Sequence, residues 1–303
     1  MSSPVDRAVR VLLRAGGVTS RAVDTGVARH HAYVAPGRGH LPPIVWLHGL
    51  SDSAATFVPV MRRLRPHVRE VTMVEAAGHG LSTPPRAEYT PSLHVASMTQ
   101  ALDRLVREPA IFVGNSLGGV TALRYALAHP ERVRGLVLIS PAAAPVDDDA
   151  TAAIRRAFDL RTPADAVRFL ERVCEQRPPA ARLVARKLIE QSARTAVRDL
   201  LRTATAADAP TPGELGALAV PTWLLWGRGE RLLPPSMLTH LRAHLPPHAV
   251  VTSPAGFAHC PHLDQPGRLA RLILAFAEVS AGARTPIVPQ TLRAPLRRGT
   301  LPG

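Results

Sequence analysis

A chain of 303 residues with 46% hydrophobic and 20% charged residues can bury a sizeable core, which excludes a disordered protein and fits one large domain or a domain carrying an insertion. The 37 basic and 23 acidic residues leave a formal charge of +14, with +4 in residues 1–38 and +4 in residues 283–303, and only 4% of residues are aromatic. Recognition of nucleic acid wants a concentrated basic face interleaved with aromatics or set on a recognition helix, so no nucleic acid is expected as a partner.

Two cysteines, Cys174 and Cys260, are too few for a disulfide framework or a thiolate zinc site. No run of 18 uncharged apolar residues suggests a membrane span, and the N-terminal segment has no signal-peptide core, so the expected location is cytoplasmic.

Residues 1–40 read as an N-terminal helix and a lead-in strand. Val5, Val9, Leu12 and Leu13 recur at helical spacing with Arg7, Arg10 and Arg14 between them. Such a helix either packs on the protein's own body or lies on a surface, where its arginines suit weak peripheral contact with an anionic membrane. From residue 41 short apolar runs alternate with helical stretches, the pattern of an α/β fold with a mostly parallel sheet. The predicted strands are 43–47, ending at His48-Gly49, then 70–74, 110–113, ending at Gly114, and 135–139, ending at Ser140-Pro141. From 144 to 213 only helices are expected, divided by Pro163, Pro178-Pro179 and Pro210. Strands resume at 222–226 and 248–252, and a helix follows over 267–279. The organisation is thus a core of 41–143 and 214–282, with helices on both sheet faces, interrupted by a helical cap of 144–213. The cap lies over the C-terminal strand ends, where open α/β sheets bind ligands. Residues 283–303, rich in Pro and Arg without periodicity, read as a flexible basic tail.

Chemistry concentrates in Gly114-Asn115-Ser116-Leu117-Gly118-Gly119, where a strand ends and a helix begins. A serine on so sharp a turn projects from the top of the sheet, and glycines two before and two after remove side chains that would collide there. Serine needs a base, and the base needs an acid to hold its tautomer. Glu230 follows strand 222–226 and His259 follows strand 248–252, so the order is Ser, acid, His. Asp147, Asp148 and Asp149 after the preceding strand are alternative acids, His262 is an alternative base, and Glu230 could instead pair with Arg228 or Arg231. His48 and His79 read as hydrogen-bonding organisers of their loops, and Cys260 as a small buried hydrophobe.

These motifs together resemble the α/β-hydrolase superfamily between His48 and Pro266. His48-Gly49-Leu50 is similar to its oxyanion-hole turn, and Glu75-Ala76-Ala77-Gly78-His79-Gly80-Leu81-Ser82 to its D-x-x-G-H-G-x-S loop. The segment from Trp226 to Pro234 is similar to its acid loop, and that from Gly256 to Pro266 to its histidine loop. The resemblance implies an α/β-hydrolase fold with a cap, Ser116 as nucleophile, Glu230 as acid, His259 as base, and the backbone amides of Leu50 and Leu117 as the oxyanion hole. It implies no cofactor and no metal.

Glu230 and Glu75 each stand where the family more often has aspartate. At Glu75 the departure bears on loop packing more than on chemistry.

The expected reaction is hydrolysis of a carboxylic ester with an apolar moiety, lipid esters included, through an acyl-enzyme. The Asn before the serine also resembles carbon-carbon bond hydrolases of the same fold, although Leu50-Ser51-Asp52-Ser53 replaces their Gly-Pro-Gly stretch. A non-catalytic binding protein on this scaffold is the remaining alternative.

Overall fold

The computed structural model describes residues 4–176 and 181–282. Strands β1 (Thr19–Asp24), β2 (Arg29–Pro36), β3 (Ile44–Leu47), β4 (Glu70–Val74), β5 (Ala110–Asn115), β6 (Val133–Ile139), β7 (Thr222–Leu225) and β8 (Val250–Thr252) form one sheet in the order β1-β2-β4-β3-β5-β6-β7-β8. β1 and β2 pair antiparallel, as do β2 and β4; every other pairing is parallel. One lead-in strand is expected from the sequence, and the structure has a hairpin. Gly26, at φ +76°, permits the turn, and the Thr25 amide closes it on the Ala28 carbonyl. The last strand is shorter than its apolar run, because the Ala249 amide turns back to the Pro246 carbonyl before pairing begins.

The central strands lack polar alternation because both faces are covered, as in parallel sheets generally. Val45, Leu47, Phe112, Leu136, Leu138 and Leu224 point to one layer, built on α3 (Pro91–Leu105) and α4 (Leu117–Ala128). Ile44, Trp46, Ile111, Val113, Val137, Trp223 and Leu225 point to the other, built on α2 (Val58–Leu64) and α12 (Pro266–Ser280). Helix α1 (Pro4–Ala15) docks on the second layer through buried Leu13, while Val11 and Leu12, 67% and 66% exposed, face outward. Among the described residues no helix is long and apolar enough to cross a membrane.

Between β6 and β7, where the cap is expected, the described residues hold α5 (Asp148–Ala157), α6 (Pro163–Val173), α7 (Ala181–Ser192), α8 (Thr195–Thr203) and α9 (Pro212–Gly216), the last running past the expected end at 213. Thr162 with Asp165, and Thr211 with Glu214, form capping boxes ahead of a proline at the first helical position. The tail predicted at 283–303 lies outside the described residues. Two further helices complete the core, α10 (Pro235–His244) and the short α11 (Pro261–Asp264).

Candidate active site

β5 ends at Asn115 and α4 begins at Leu117, so Ser116 alone makes the turn, at φ 54° and ψ −116°. A non-glycine residue held there stores backbone strain and has to be over-determined by its surroundings. The Ser116 amide donates to the Ile139 carbonyl of β6, and its own carbonyl accepts from the amides of Gly119, Val120 and Ala142. The flanking glycines are explained by close approach: a Cβ on Gly114 would lie 2.2 Å from the Gly118 carbonyl oxygen, and one on Gly118 would lie 2.1 Å from that of Leu47.

The loop after β8 carries His259 and the loop after β7 carries Glu230. His259 Nδ1 lies 2.8 Å from Glu230 Oε2, and both side chains are buried. The other carboxylate oxygen, Oε1, accepts from the amides of Leu232 and Leu233 at 2.8 and 3.0 Å. Burial pushes the Glu230 carboxyl up, but the His259 charge and hydrogen bond, with the Leu233 amide, outweigh it and hold the group below its ordinary range. A carboxylate at Nδ1 favours the tautomer that donates from Nδ1 and leaves Nε2 as the acceptor. Ser116 and His259 wall the same small cavity, with no hydrogen bond between their side chains among the described residues.

Asn115 is a contributor that the motif reading passed over. Its carboxamide donates to the His259 carbonyl at 2.8 Å and to the Ile139 carbonyl at 3.1 Å, fastening the histidine loop to the elbow. The Cys260 amide fastens the same loop to the cap through the Val173 carbonyl. The Cys260 side chain is partly buried, and burial pushes its thiol well above the usual range, which makes it a packing group.

The segment after β3 passes beside the elbow. His48 Nδ1 donates to the Gly49 carbonyl and its Nε2 accepts from the Ala76 amide. His79 Nδ1 donates to the Ala77 carbonyl and its Nε2 accepts from the Ser51 amide. Both imidazoles thus organise this loop and stand apart from the Glu230–His259 pair. Burial drives His79 down to about 3, so it is a neutral ring. The Leu50 and Leu117 amides donate to no protein acceptor among the described residues.

Glu75 is a buried tie. Its carboxylate accepts from the Ala54 and Leu81 amides and from His31 Nδ1. The longer side chain fits because Gly80, at φ +51°, has no Cβ, which would otherwise lie 1.8 Å from Glu75 Oε1.

The alternative candidates stand elsewhere. Asp147 caps α5 by accepting from the Ala150 amide, and Asp148 and Asp149 occupy that helix's first turn, so none of the three holds the histidine. His262 is fully buried, edge-on to Trp46, with Nε2 3.2 Å from Asp52 Oδ2. That pair links the oxyanion-side loop to the histidine loop, a connection across 210 residues that no spacing reveals. Arg228 and Arg231 donate to backbone carbonyls of Ser253, Glu171 and Cys174, leaving Glu230 to His259.

Above the elbow, a chamber of about 600 Å³ lies between α4 and the cap, walled largely by apolar side chains such as Leu117, Val120, Val146, Ile154, Leu200 and Met237. Its charged wall residues are Arg124, Arg155 and Asp208. Arg124 stands eight residues beyond Ser116 on α4, roughly 12 Å along the helix axis. A second chamber of about 40 Å³ lies against His259, Cys260 and Leu263. Among the described residues no three His, Cys, Asp or Glu side chains converge on a metal position.

The fold and this constellation are those of a hydrolase, and the comparisons with known proteins agree. Residues 42–266 match the alpha/beta hydrolase fold family, to which this chain therefore belongs. A pimeloyl-[acyl-carrier protein] methyl ester esterase of Yersinia enterocolitica is 30% identical over 253 residues, 78% of this chain and 93% of that protein. Among solved structures, a membrane phospholipase A described as a bacterial virulence factor superposes with a TM-score of 0.77 at 25% identity, covering 91% of each chain. The carboxylesterase CesB of Bacillus subtilis does so at 0.72 and 24% identity over 89% of this chain and 95% of its own. A meta-cleavage product hydrolase of Pseudomonas fluorescens shares the fold at 0.72 and 21% identity, over 86% and 98%.

Proposed function

We propose that this alpha/beta hydrolase is a serine-dependent carboxylic ester hydrolase working through an acyl-enzyme, with Ser116, His259 and Glu230 as its triad. The observation that carries the reading is the His259–Glu230 hydrogen bond of 2.8 Å beside a strained serine that shares a cavity with His259. With Nδ1 held by the carboxylate, Nε2 takes the Ser116 proton as Oγ attacks the ester carbonyl. The free Leu50 and Leu117 amides receive the developing oxyanion. Collapse of the tetrahedral intermediate passes the proton from Nε2 to the departing alcohol. Water activated by the same nitrogen then hydrolyses the acyl-Ser116 ester and releases the acid.

The esterases among the relatives support an ester over a carbon-carbon bond as the scissile group. The apolar walls suit an ester with an apolar acyl chain, lipid esters included.

The test is labelling by a fluorophosphonate probe together with turnover of methyl hexanoate and of a dienoic meta-cleavage product. Wild type is expected to label and to cleave the ester, and Ser116→Ala to do neither while keeping its Tm, since alanine is smaller and the elbow is shaped by glycines. Cleavage of the dienoate in preference to the ester, or ester turnover retained in Ser116→Ala, overturns the reading.

A further inference from the structure

The two chambers meet at Ser116 and are very unequal. Leu50, Ser116, Phe158 and Leu232 are walls common to both, so a bound ester carbonyl at Ser116 has one substituent in each. Proton transfer decides which substituent goes where. The general acid that releases the alcohol has to reach its oxygen, so the alcohol half lies on the side of His259. His259 lines only the small chamber. The alcohol therefore occupies about 40 Å³ and the acyl group about 600 Å³. About 10–15 Å³ of such volume holds one water, so the small chamber accommodates roughly three or four non-hydrogen atoms. The large one is of the size that holds a whole drug-like ligand.

We infer that the enzyme is selective for esters of a very small alcohol, methyl or ethyl, with long and mainly apolar carboxylic acids. Phe169, Val173 and Leu188 set the limit on the alcohol. These three cap side chains line the small chamber and are absent from the walls of the large one. They come from α6 and α7, so those two cap helices dictate alcohol size, while α3 and α4 of the core and α5 and α8 of the cap shape the acyl site. The inference rests on the ester hydrolase reading above, and its test separates the two.

Methyl heptanoate and hexyl acetate are isomers with the same atoms and nearly the same hydrophobicity, but opposite distribution across the scissile bond. Wild-type kcat/KM for methyl heptanoate is expected to exceed that for hexyl acetate by at least a hundredfold. Along methyl butyrate, hexanoate and octanoate it is expected to rise by up to about fourfold per methylene, the equilibrium worth of burying one. Phe169→Ala and Leu188→Ala, which enlarge the small chamber, should reduce the isomer ratio at least tenfold. That ratio is read within one sample and is independent of how much of the variant folds. Equal or preferred turnover of hexyl acetate by wild type, or an unchanged ratio in both variants, overturns the chamber assignment while leaving the ester hydrolase reading intact. Failure to cleave either isomer or methyl hexanoate, with no fluorophosphonate labelling, overturns both.

Discussion

Replacing Glu230 by glutamine tests the proposed chemistry at its most constrained point. The carboxylate is held in one orientation: Oε1 accepts from two backbone amides and Oε2 faces His259 Nδ1. Amides only donate, so a glutamine has to keep its oxygen on Leu232 and Leu233 and turn its NH2 toward His259. An NH2 group also only donates. The imidazole is then driven to the tautomer with Nδ1 bare and the proton on Nε2, which cannot accept the Ser116 proton. The expected loss in kcat is about 10⁴-fold, the size seen when the acid of such a triad becomes an amide. That corresponds to about 5.5 kcal/mol in the barrier. The substitution is isosteric and preserves both amide bonds, so the fold is retained. Stopped-assay turnover of methyl hexanoate, the rate of fluorophosphonate labelling and Tm measure the three quantities. A kcat within tenfold of wild type refutes the tautomer argument, and a loss of activity that merely tracks a loss of folded protein assigns Glu230 a structural role instead. Glu230→Asp is expected to fall between, since a side chain one methylene shorter cannot reach both the amides and the imidazole.

His262→Ala should lower stability by about 3 kcal/mol, because it leaves the Asp52 carboxylate without its buried partner. The double variant His262→Ala, Asp52→Ala should recover part of that loss. Urea unfolding measures both, while kcat per folded molecule of the single variant stays within a few-fold of wild type; a collapse of kcat at full folding would give His262 the role of the base. Acid should destabilise the protein well above the range of the carboxylates. Burial holds His79 and His94 at about 3 in the native state, whereas an unfolded histidine titrates near 6.5. Between those values the unfolded chain binds more protons, so stability falls as pH drops below about 6.5. Linkage gives about 3 kcal/mol for the two groups together between pH 7.5 and 5.5. Urea midpoints that do not move between those pH values would refute the buried, neutral state of these rings.

Much of this molecule is legible along the chain because the responsible forces are local. Apolar runs without polar alternation, broken at His48-Gly49, Gly114 and Ser140-Pro141, mark strands covered on both faces, and their C-terminal ends are where ligand-facing loops begin. The elbow is legible for the same reason, since glycines at 114 and 118 are demanded by backbone approaches within a few residues or to the adjoining strand. The N-terminal hairpin was less legible: its turn depends on Gly26 taking a positive φ, and an isolated glycine does not announce that conformation.

Tertiary structure alone decided which acid holds which histidine. Glu230, Asp147, Asp148 and Asp149 all follow strands, and only the folded chain shows the first on His259 and the others capping or opening α5. The Asp52–His262 link and the Asn115 hold on the His259 carbonyl join residues 210 and 144 positions apart. The division of the site into a large and a small chamber belongs to this second kind of information. Strand runs and turn glycines respond to neighbours a few bonds away, whereas a hydrogen bond between distant loops or the volume left beneath a cap depends on where several separate segments come to rest together.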